Sequence, residues 1–383
     1  MAVSDQPATW GPVKLLVLQG TGFCNINCRY CYLPDRSDRT QMSVATVEAV
    51  AGWLLRDALL SGPLLVNWHA GEPLVLRPEF YRDRLPLFDV IADSGIAVTH
   101  SLQTNATLVT DKYCELFAQY AIRVGVSIDG PAFIHDSRRV TRSGRPTHAK
   151  ALAGIRKLQQ HGIPFNVICV LSDVSLRHPD QMYSFFRDHD IRAVGFNLEE
   201  IEGANRTSSL ATSGFDDLYR SFLHRFWELV EQDDHRIRVR EFDDGEGRIL
   251  DLKPRRNSQT EPFVNLTVGA SGDFSTFSPE LLGTSFPRYP SFTLGNVHDG
   301  GFKRAVNSPR FQQLWGDIRR GVEACRDECG FFDVCGGGNP SNKIAENGDA
   351  SSTETLNCRA RIKITSSFLM DIVEQRIAAV TGR

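Results

Sequence analysis

Cys24, Cys28 and Cys31 supply three thiols within a single run of eight residues, CNINCRYC. Soft thiolates suit an iron–sulfur cluster or zinc, and a cubane cluster normally takes four of them. No further Cys or His occurs before His69, so a cubane held here would keep one iron without a protein ligand. Zinc would lack its fourth ligand. A second set, Cys325, Cys329, Cys335 and Cys358, has four thiols, enough to saturate one cluster or one tetrahedral zinc. The two remaining cysteines, Cys114 and Cys169, fall in a predicted amphipathic helix and a predicted buried strand and read as small core residues. The N-terminal stretch MAVSDQPATWGPVK has no signal-peptide core, so the cysteines read as metal ligands of a cytoplasmic protein, not as disulfides.

These thiols need a frame. Apolar runs at 15–19, 64–68, 97–103, 124–128, 165–171 and 193–198 read as strands, with helices predicted at 44–60, 78–94, 111–121, 147–161 and 179–188 between them. Such alternation predicts an α/β fold with a parallel sheet, a barrel or a doubly wound sheet. Ligands of such sheets bind beyond the carboxyl ends of the strands. The loop carrying Cys24–Cys31 follows the first strand, Gly71 and Glu72 the second, Asn105 the third and Asp129 the fourth. A helix is expected over 215–232, a polar loop or linker over 243–262, an antiparallel pair at 263–268 and 273–277, and a closing helix over 360–380.

The chain has 383 residues and a formal net charge of −3. That length suggests two or three domains or one elaborated barrel. The charge gives no case for nucleic acid or an anionic membrane as partner, and no apolar run is long enough to span a bilayer.

The cysteine triplet resembles that of radical S-adenosylmethionine (SAM) enzymes, in which SAM chelates the open iron of a [4Fe–4S] cluster. The resemblance implies a partial (β/α)6 TIM-type barrel over 1–235. Tyr30, before the third cysteine, would lie against the adenine. Ala70, Gly71, Glu72 and Pro73 match a Gly-Gly-Glu-Pro motif that contacts the SAM amine, with Ala in place of the first Gly. Ser127 and Asp129 (SIDG) match the segment whose serine meets the ribose, and Arg139 matches the arginine that pairs with the SAM carboxylate, with Arg138 as the alternative. Gln103 and Asn105 match a cavity-lining segment in which Ala106 replaces the usual glycine. Taken singly, Glu72 and Asp129 would read as solvated loop carboxylates and Arg139 as a surface ion pair.

The C-terminal cysteines resemble the SPASM extension of peptide-maturing members, here over 236–383. That extension usually carries two auxiliary [4Fe–4S] clusters; Cys325, Cys329, Cys335 and Cys358 match the ligands of the second. Phe277 and Asn339 stand where the first cluster's cysteines would be. The resemblance therefore implies two clusters in all.

Stretches 15–36, 68–76, 124–144, 195–203, 274–283, 294–297 and 335–358 resemble the cyclophane-forming maturases of glycine-rich ribosomal precursor peptides. In these a 5′-deoxyadenosyl radical removes hydrogen from a Cβ, which then bonds to an aromatic ring two residues earlier. The implied partners are a precursor peptide and a flavodoxin- or ferredoxin-type electron donor. Glu280 lies close to where related maturases carry an acidic base; otherwise it reads as a surface glutamate. With the first strand starting near Leu15, the precursor's leader is expected to bind the barrel rim, the extension or a separate protein. The alternatives are another peptide modification (thioether formation, side-chain oxidation or epimerisation) and a zinc-stabilised protein without catalysis.

Overall fold

The computed structural model describes residues 10–250, 255–299 and 302–381. Residues 1–9 of the N-terminal segment and 251–254 of the expected linker lie outside them. Among the described residues ten strands form one sheet: β1 (Leu15–Leu18), β2 (Leu64–Trp68), β3 (Val98–Thr104), β4 (Arg123–Ser127), β5 (Phe165–Leu171), β6 (Ala193–Leu198), β7 (Arg238–Val239), β8 (Asn265–Val268), β9 (Asp273–Thr276) and β10 (Gly295–Asn296). Their order is β10-β9-β8-β1-β2-β3-β4-β5-β6-β7. Every pairing from β8 through β1 to β7 is parallel; β8–β9 and β9–β10 are antiparallel.

Alternation within the strands separates core from site. Leu64, Val66 and Trp68 of β2, and Val167, Cys169 and Leu171 of β5, are buried in the hydrophobic core. Their alternates Asn67, Ile168 and Val170 line a cavity, as side-chain period two requires. Cys169 and Cys114 are both core residues, 0% and 1% exposed. Aromatic rings close the core at the other end of the sheet, where Phe196 of β6 meets Phe222 and Phe226 of the helix Phe215–Gln232 edge-on.

Three expectations need correction. The helix expected over 78–94 is broken into Pro78–Arg82, a 3₁₀ turn at Leu85–Phe88 and Asp89–Asp93, because Pro86 removes an N–H donor and clashes with the preceding turn. The loop expected from 243 is helical to 250, in Arg240–Leu250. Gly245 is the reason: a Cβ there would stand 2.1 Å from Leu369 Cδ1, so this glycine lets two helices approach and does not break one. The closing helix begins as a π-helix, Arg359–Ile364, directly after Cys358, and becomes α-helical over Thr365–Thr381.

The helix Pro309–Glu328, which positions Cys325, has no counterpart in the sequence-based expectations. No helix among the described residues is long and apolar enough to cross a membrane.

Candidate active site

At the carboxyl ends of the parallel strands lies a cavity of about 310 Å³, within the size range of small-molecule sites. Cys24, Cys28 and Cys31 line it together with strand-end residues Asn67, Gln103, Ser127 and Asn197. The thiol loop is clamped by backbone bonds on two sides. Asn27 N donates to Val140 O at 2.7 Å and Arg29 N to Arg138 O at 2.9 Å, while Glu72 N donates to Phe23 O at 2.9 Å. Gly71, at φ +62°, permits the last contact, since a Cβ there would lie 2.6 Å from Phe23 O. Burial pushes the Cys24 thiol up to about 12 and Cys28 to about 11. Thiols held neutral in this way ionise when a cation binds them.

The motif residues are interior groups, not solvated ones. Glu72 is 1% exposed; its Oε1 accepts from Leu74 N at 2.9 Å and Thr104 Oγ1 at 2.6 Å, and its Oε2 from Asn105 N at 2.7 Å. Burial lifts its carboxyl to about 7 against the pull of these donors. Asn105 Nδ2 donates to Asn25 Oδ1 at 2.9 Å, tying the β3 end to the cysteine loop. Gln103 Nε2 donates to Ser127 Oγ at 2.8 Å across β3 and β4.

Asp129 is also 1% exposed. It receives Arg139 Nε at 2.9 Å and Nη2 at 3.1 Å, the Tyr30 hydroxyl at 2.5 Å and Val170 N at 3.0 Å. Burial pushes its carboxyl up, yet Arg139 and the other partners outweigh burial and hold it below the ordinary carboxylate range. Arg139 keeps one nitrogen for the cavity: Nη1 lies 3.9 Å from Cys28 Sγ. Arg138 instead bonds Asp173 at 2.9 Å.

Ala70 and Ala106, the two positions where this chain departs from the glycines of the resembled motifs, both have positive φ, +78° and +58°. The departure stores strain, because a left-handed L-residue costs roughly 1–2 kcal/mol. Ala70→Gly is expected to stabilise the metal-free protein by about 0.5–1 kcal/mol after the entropy of the added glycine is subtracted. Chemical denaturation checks this, and a loss of stability would refute the strain.

Glu280 lines the same cavity, joined there by Glu200 and Glu202 from the segment after β6. Ser278 Oγ donates to Glu280 Oε2. Burial, reinforced by Glu200, pushes Glu280 to about 7. Glu202 is raised well above the ordinary range by burial, then by Glu200 and Glu280. Glu200 Oε2 receives Asn342 Nδ2 at 2.7 Å and Asn357 Nδ2 at 2.5 Å. Asn357 immediately precedes Cys358 and Asn342 precedes Lys343, so this carboxylate connects the cavity wall to the second thiol set.

Tyr32 and His69 also face the cavity, with the tyrosine oxygen 3.0 Å from His69 Nε2; burial lowers His69 to about 4 and leaves it neutral. Sequence reasoning missed Glu200, Glu202, Tyr32 and His69. The glutamates were legible only as part of the resembling stretch 195–203.

The second thiol set gathers from three elements. Cys325 and Cys329 end the helix Pro309–Glu328, and Cys335 ends the short helix Phe332–Cys335. Cys358 ends the turn Leu356–Cys358. Gly336, Gly337 and Gly338 all have positive φ, which turns the chain so that Gly338 N donates to Cys335 Sγ at 3.1 Å. All nine cysteines are free thiols. Among the described residues no three His, Cys, Asp or Glu side chains are grouped so as to hold one metal ion. The donor sets, three thiols beside an open cavity and four thiols with backbone N–H support, suit iron–sulfur clusters.

An uncharacterised Synechocystis protein, sll1766, is 39% identical over 373 residues, spanning 96% of this chain and 94% of that protein. A serine-type anaerobic sulfatase-maturating enzyme of Bacteroides thetaiotaomicron is 26% identical over 91% of this chain and 87% of its own. Two solved structures share the fold. One is anSMEcpe with bound AdoMet (TM-score 0.75, 20% identity, 95% of this chain and 96% of that one). The other is Streptococcus suis SuiB bound to precursor peptide SuiA (TM-score 0.63, 16% identity, 92% and 76%). A family model described as the Radical SAM superfamily matches residues 18–186. With that match, the near-full-length relative and the thiol-lined cavity, this chain belongs to the radical SAM family and is an enzyme of the kind that uses SAM and a [4Fe–4S] cluster.

Proposed function

We propose that this enzyme cross-links a ribosomally made precursor peptide, joining an aromatic ring carbon to the Cβ of a residue two positions later. The observation that carries this reading is one cavity lined both by Cys24, Cys28 and Cys31 and by Glu200, Glu202 and Glu280. A radical source and a proton acceptor thereby face the same substrate volume. The cross-link needs both, because the peptide loses a hydrogen atom from Cβ and then a proton and an electron from the ring.

In this reading residues 1–235 form a partial (β/α)6 barrel and 236–383 a linker and SPASM-like extension. Cys24, Cys28 and Cys31 hold a [4Fe–4S] cluster. When bound, that cluster and SAM supply a carbon radical able to abstract hydrogen. Tyr30, Ala70, Gly71, Glu72, Gln103, Asn105, Ser127, Asp129 and Arg139 form the SAM site. Asp129 fixes the guanidinium plane of Arg139, whose Nη1, turned away from Asp129 and 3.9 Å from Cys28 Sγ, presents a donor to a carboxylate. Glu72 offers acceptor charge to an amine. Cys325, Cys329, Cys335 and Cys358 hold a second cluster, which supplies one-electron exchange. The partners are the precursor and a flavodoxin- or ferredoxin-type donor.

Glu280 accepts the ring proton. A base must be near its ionisation point to act at neutral pH, and Glu280 sits at about 7. With a precursor peptide, each modification is expected to remove two hydrogens by mass, and a Cβ deuterium to appear in 5′-deoxyadenosine. The cross-linking rate of the native enzyme should rise with pH through about 7 as Glu280 loses its proton. Glu280→Gln should retain SAM cleavage, lose that pH dependence and cross-link roughly 10²-fold or more slowly, as the loss of a general base does. Unchanged cross-linking would remove Glu280 from the reaction.

The sulfatase-maturating relative supports a second reading, side-chain oxidation, whose product from serine would also lack two hydrogens. Tandem mass spectrometry separates the two. A product that reacts with a carbonyl-trapping hydrazide and shows no cross-link fragments would favour oxidation.

A further inference from the structure

Lys343 has no part in the chemistry above, and its surroundings are unusual for a lysine. It lies on the helix Pro340–Asn347 and is 2% exposed, whereas lysine is almost never fully buried unless paired. Its Nζ donates to Gly321 O at 3.1 Å and lies 3.3 Å from Cys325 Sγ. No Asp or Glu among the described residues comes within 4.0 Å of it as an ion-pair partner. The slot is built around the side chain. A Cβ at Gly321 would stand 2.3 Å from Ala350 O and 3.1 Å from the ammonium, and one at Gly338 would stand 3.3 Å from Lys343 Cε.

A buried ammonium beside only a carbonyl and a thiol would carry an uncompensated desolvation cost. Four thiolates on an iron–sulfur cubane carry net negative charge and offset it. The helix is held in register from the neighbouring residue, since Asn342 bonds Glu200 at 2.7 Å.

We propose that Lys343 sets the reduction potential of the centre held by Cys325, Cys329, Cys335 and Cys358, raising it so that the centre readily accepts an electron. This rests on the reading of that set as cluster ligands. Reduction adds one negative charge to the cluster, and an ammonium in contact with a ligand sulfur stabilises the reduced form more than the oxidised one. A hydrogen bond to sulfur acts in the same direction, and both are recognised determinants of cluster potential. Lys343 is therefore a positioning residue, acting on the centre through the ligand Cys325.

The test uses the Cys24→Ala, Cys28→Ala, Cys31→Ala protein, in which only the C-terminal centre remains. Iron content and the midpoint from a spectroscopically monitored redox titration are measured with and without Lys343→Met. The Met variant is expected to keep about four irons and to show a more negative midpoint. Lys343→Arg, which retains the charge, should stay nearer the parent. An iron-replete Met variant with an unchanged midpoint overturns this proposal alone. Loss of iron from Lys343→Met but not from Lys343→Arg, whose midpoint stays near the parent's, supports a charge requirement. Loss from both assigns Lys343 to packing and overturns the proposal. Zinc in place of iron in the parent overturns the cluster reading and this inference with it.

Discussion

The triple replacement Cys24→Ala, Cys28→Ala, Cys31→Ala is expected to reduce 5′-deoxyadenosine formation to background under reducing, oxygen-free conditions while the protein stays folded. Folding should survive because the loop is held by main-chain bonds. Asn27 N to Val140 O, Arg29 N to Arg138 O and Cys24 N to Arg36 O involve no sulfur. Iron content gives an independent readout. The native chain should hold about eight irons, four per cluster, and the triple variant about four, since the C-terminal thiols are on separate elements. Native-level SAM cleavage by the triple variant would end the assignment of these cysteines. A native value near twelve irons would mean that unrecognised ligands complete a third cluster.

Asp129→Asn is the single substitution expected to cost most in stability, about 3–5 kcal/mol, because it leaves Arg139 charged and buried without its partner. Arg139 is 6% exposed, so water cannot take over. The same change leaves one of two further donors without an acceptor, since the Tyr30 hydroxyl uses Oδ2 and Val170 N uses Oδ1 and the amide keeps only one oxygen. The sign with pH follows from the lowered Asp129 carboxyl. Its contribution is fully present above the unfolded value of about 3.9 and is lost as pH falls through the lower folded value. Denaturation midpoints of native protein and variant should therefore differ widely at neutral pH and converge in acid. Asp129→Leu combined with Arg139→Met should recover much of the stability without recovering SAM binding, since no buried charge remains unpaired. A loss below about 1 kcal/mol would mean that the pair behaves as a surface bridge.

Local chemistry and periodicity make much of the molecule legible from its residues. The strands expected at 64–68, 165–171 and 193–198 are β2, β5 and β6 without adjustment, because short apolar runs bounded by turn residues have few other solutions. The thiol triplet is equally local: three ligands within one loop need no distant partner to be recognised. Failures occurred where a residue's local preference was overruled by a distant contact. Gly245 reads as a loop residue until Leu369 is found against it. The antiparallel pair expected at 263–268 and 273–277 is present as β8 and β9; what the local pattern does not reveal is that β8 also pairs in parallel with β1 and so extends the main sheet.

The sequence by itself determined the α/β alternation, the strand-end positions of Glu72 and Asp129 and the two thiol sets, since each follows from spacing along the chain. Only the tertiary structure decided which groups share a dielectric environment. Glu200, Glu202 and Glu280 come from segments some eighty residues apart yet face one cavity, and the raised values of Glu202 and Glu280 exist only because folding removes water from around them and sets carboxylates against one another. Lys343 looks like any surface lysine in the sequence. It becomes a charge beside Cys325 only when Gly321 and Gly338 leave space for it. Burial and charge pairing depend on distances across the fold, which no local pattern encodes.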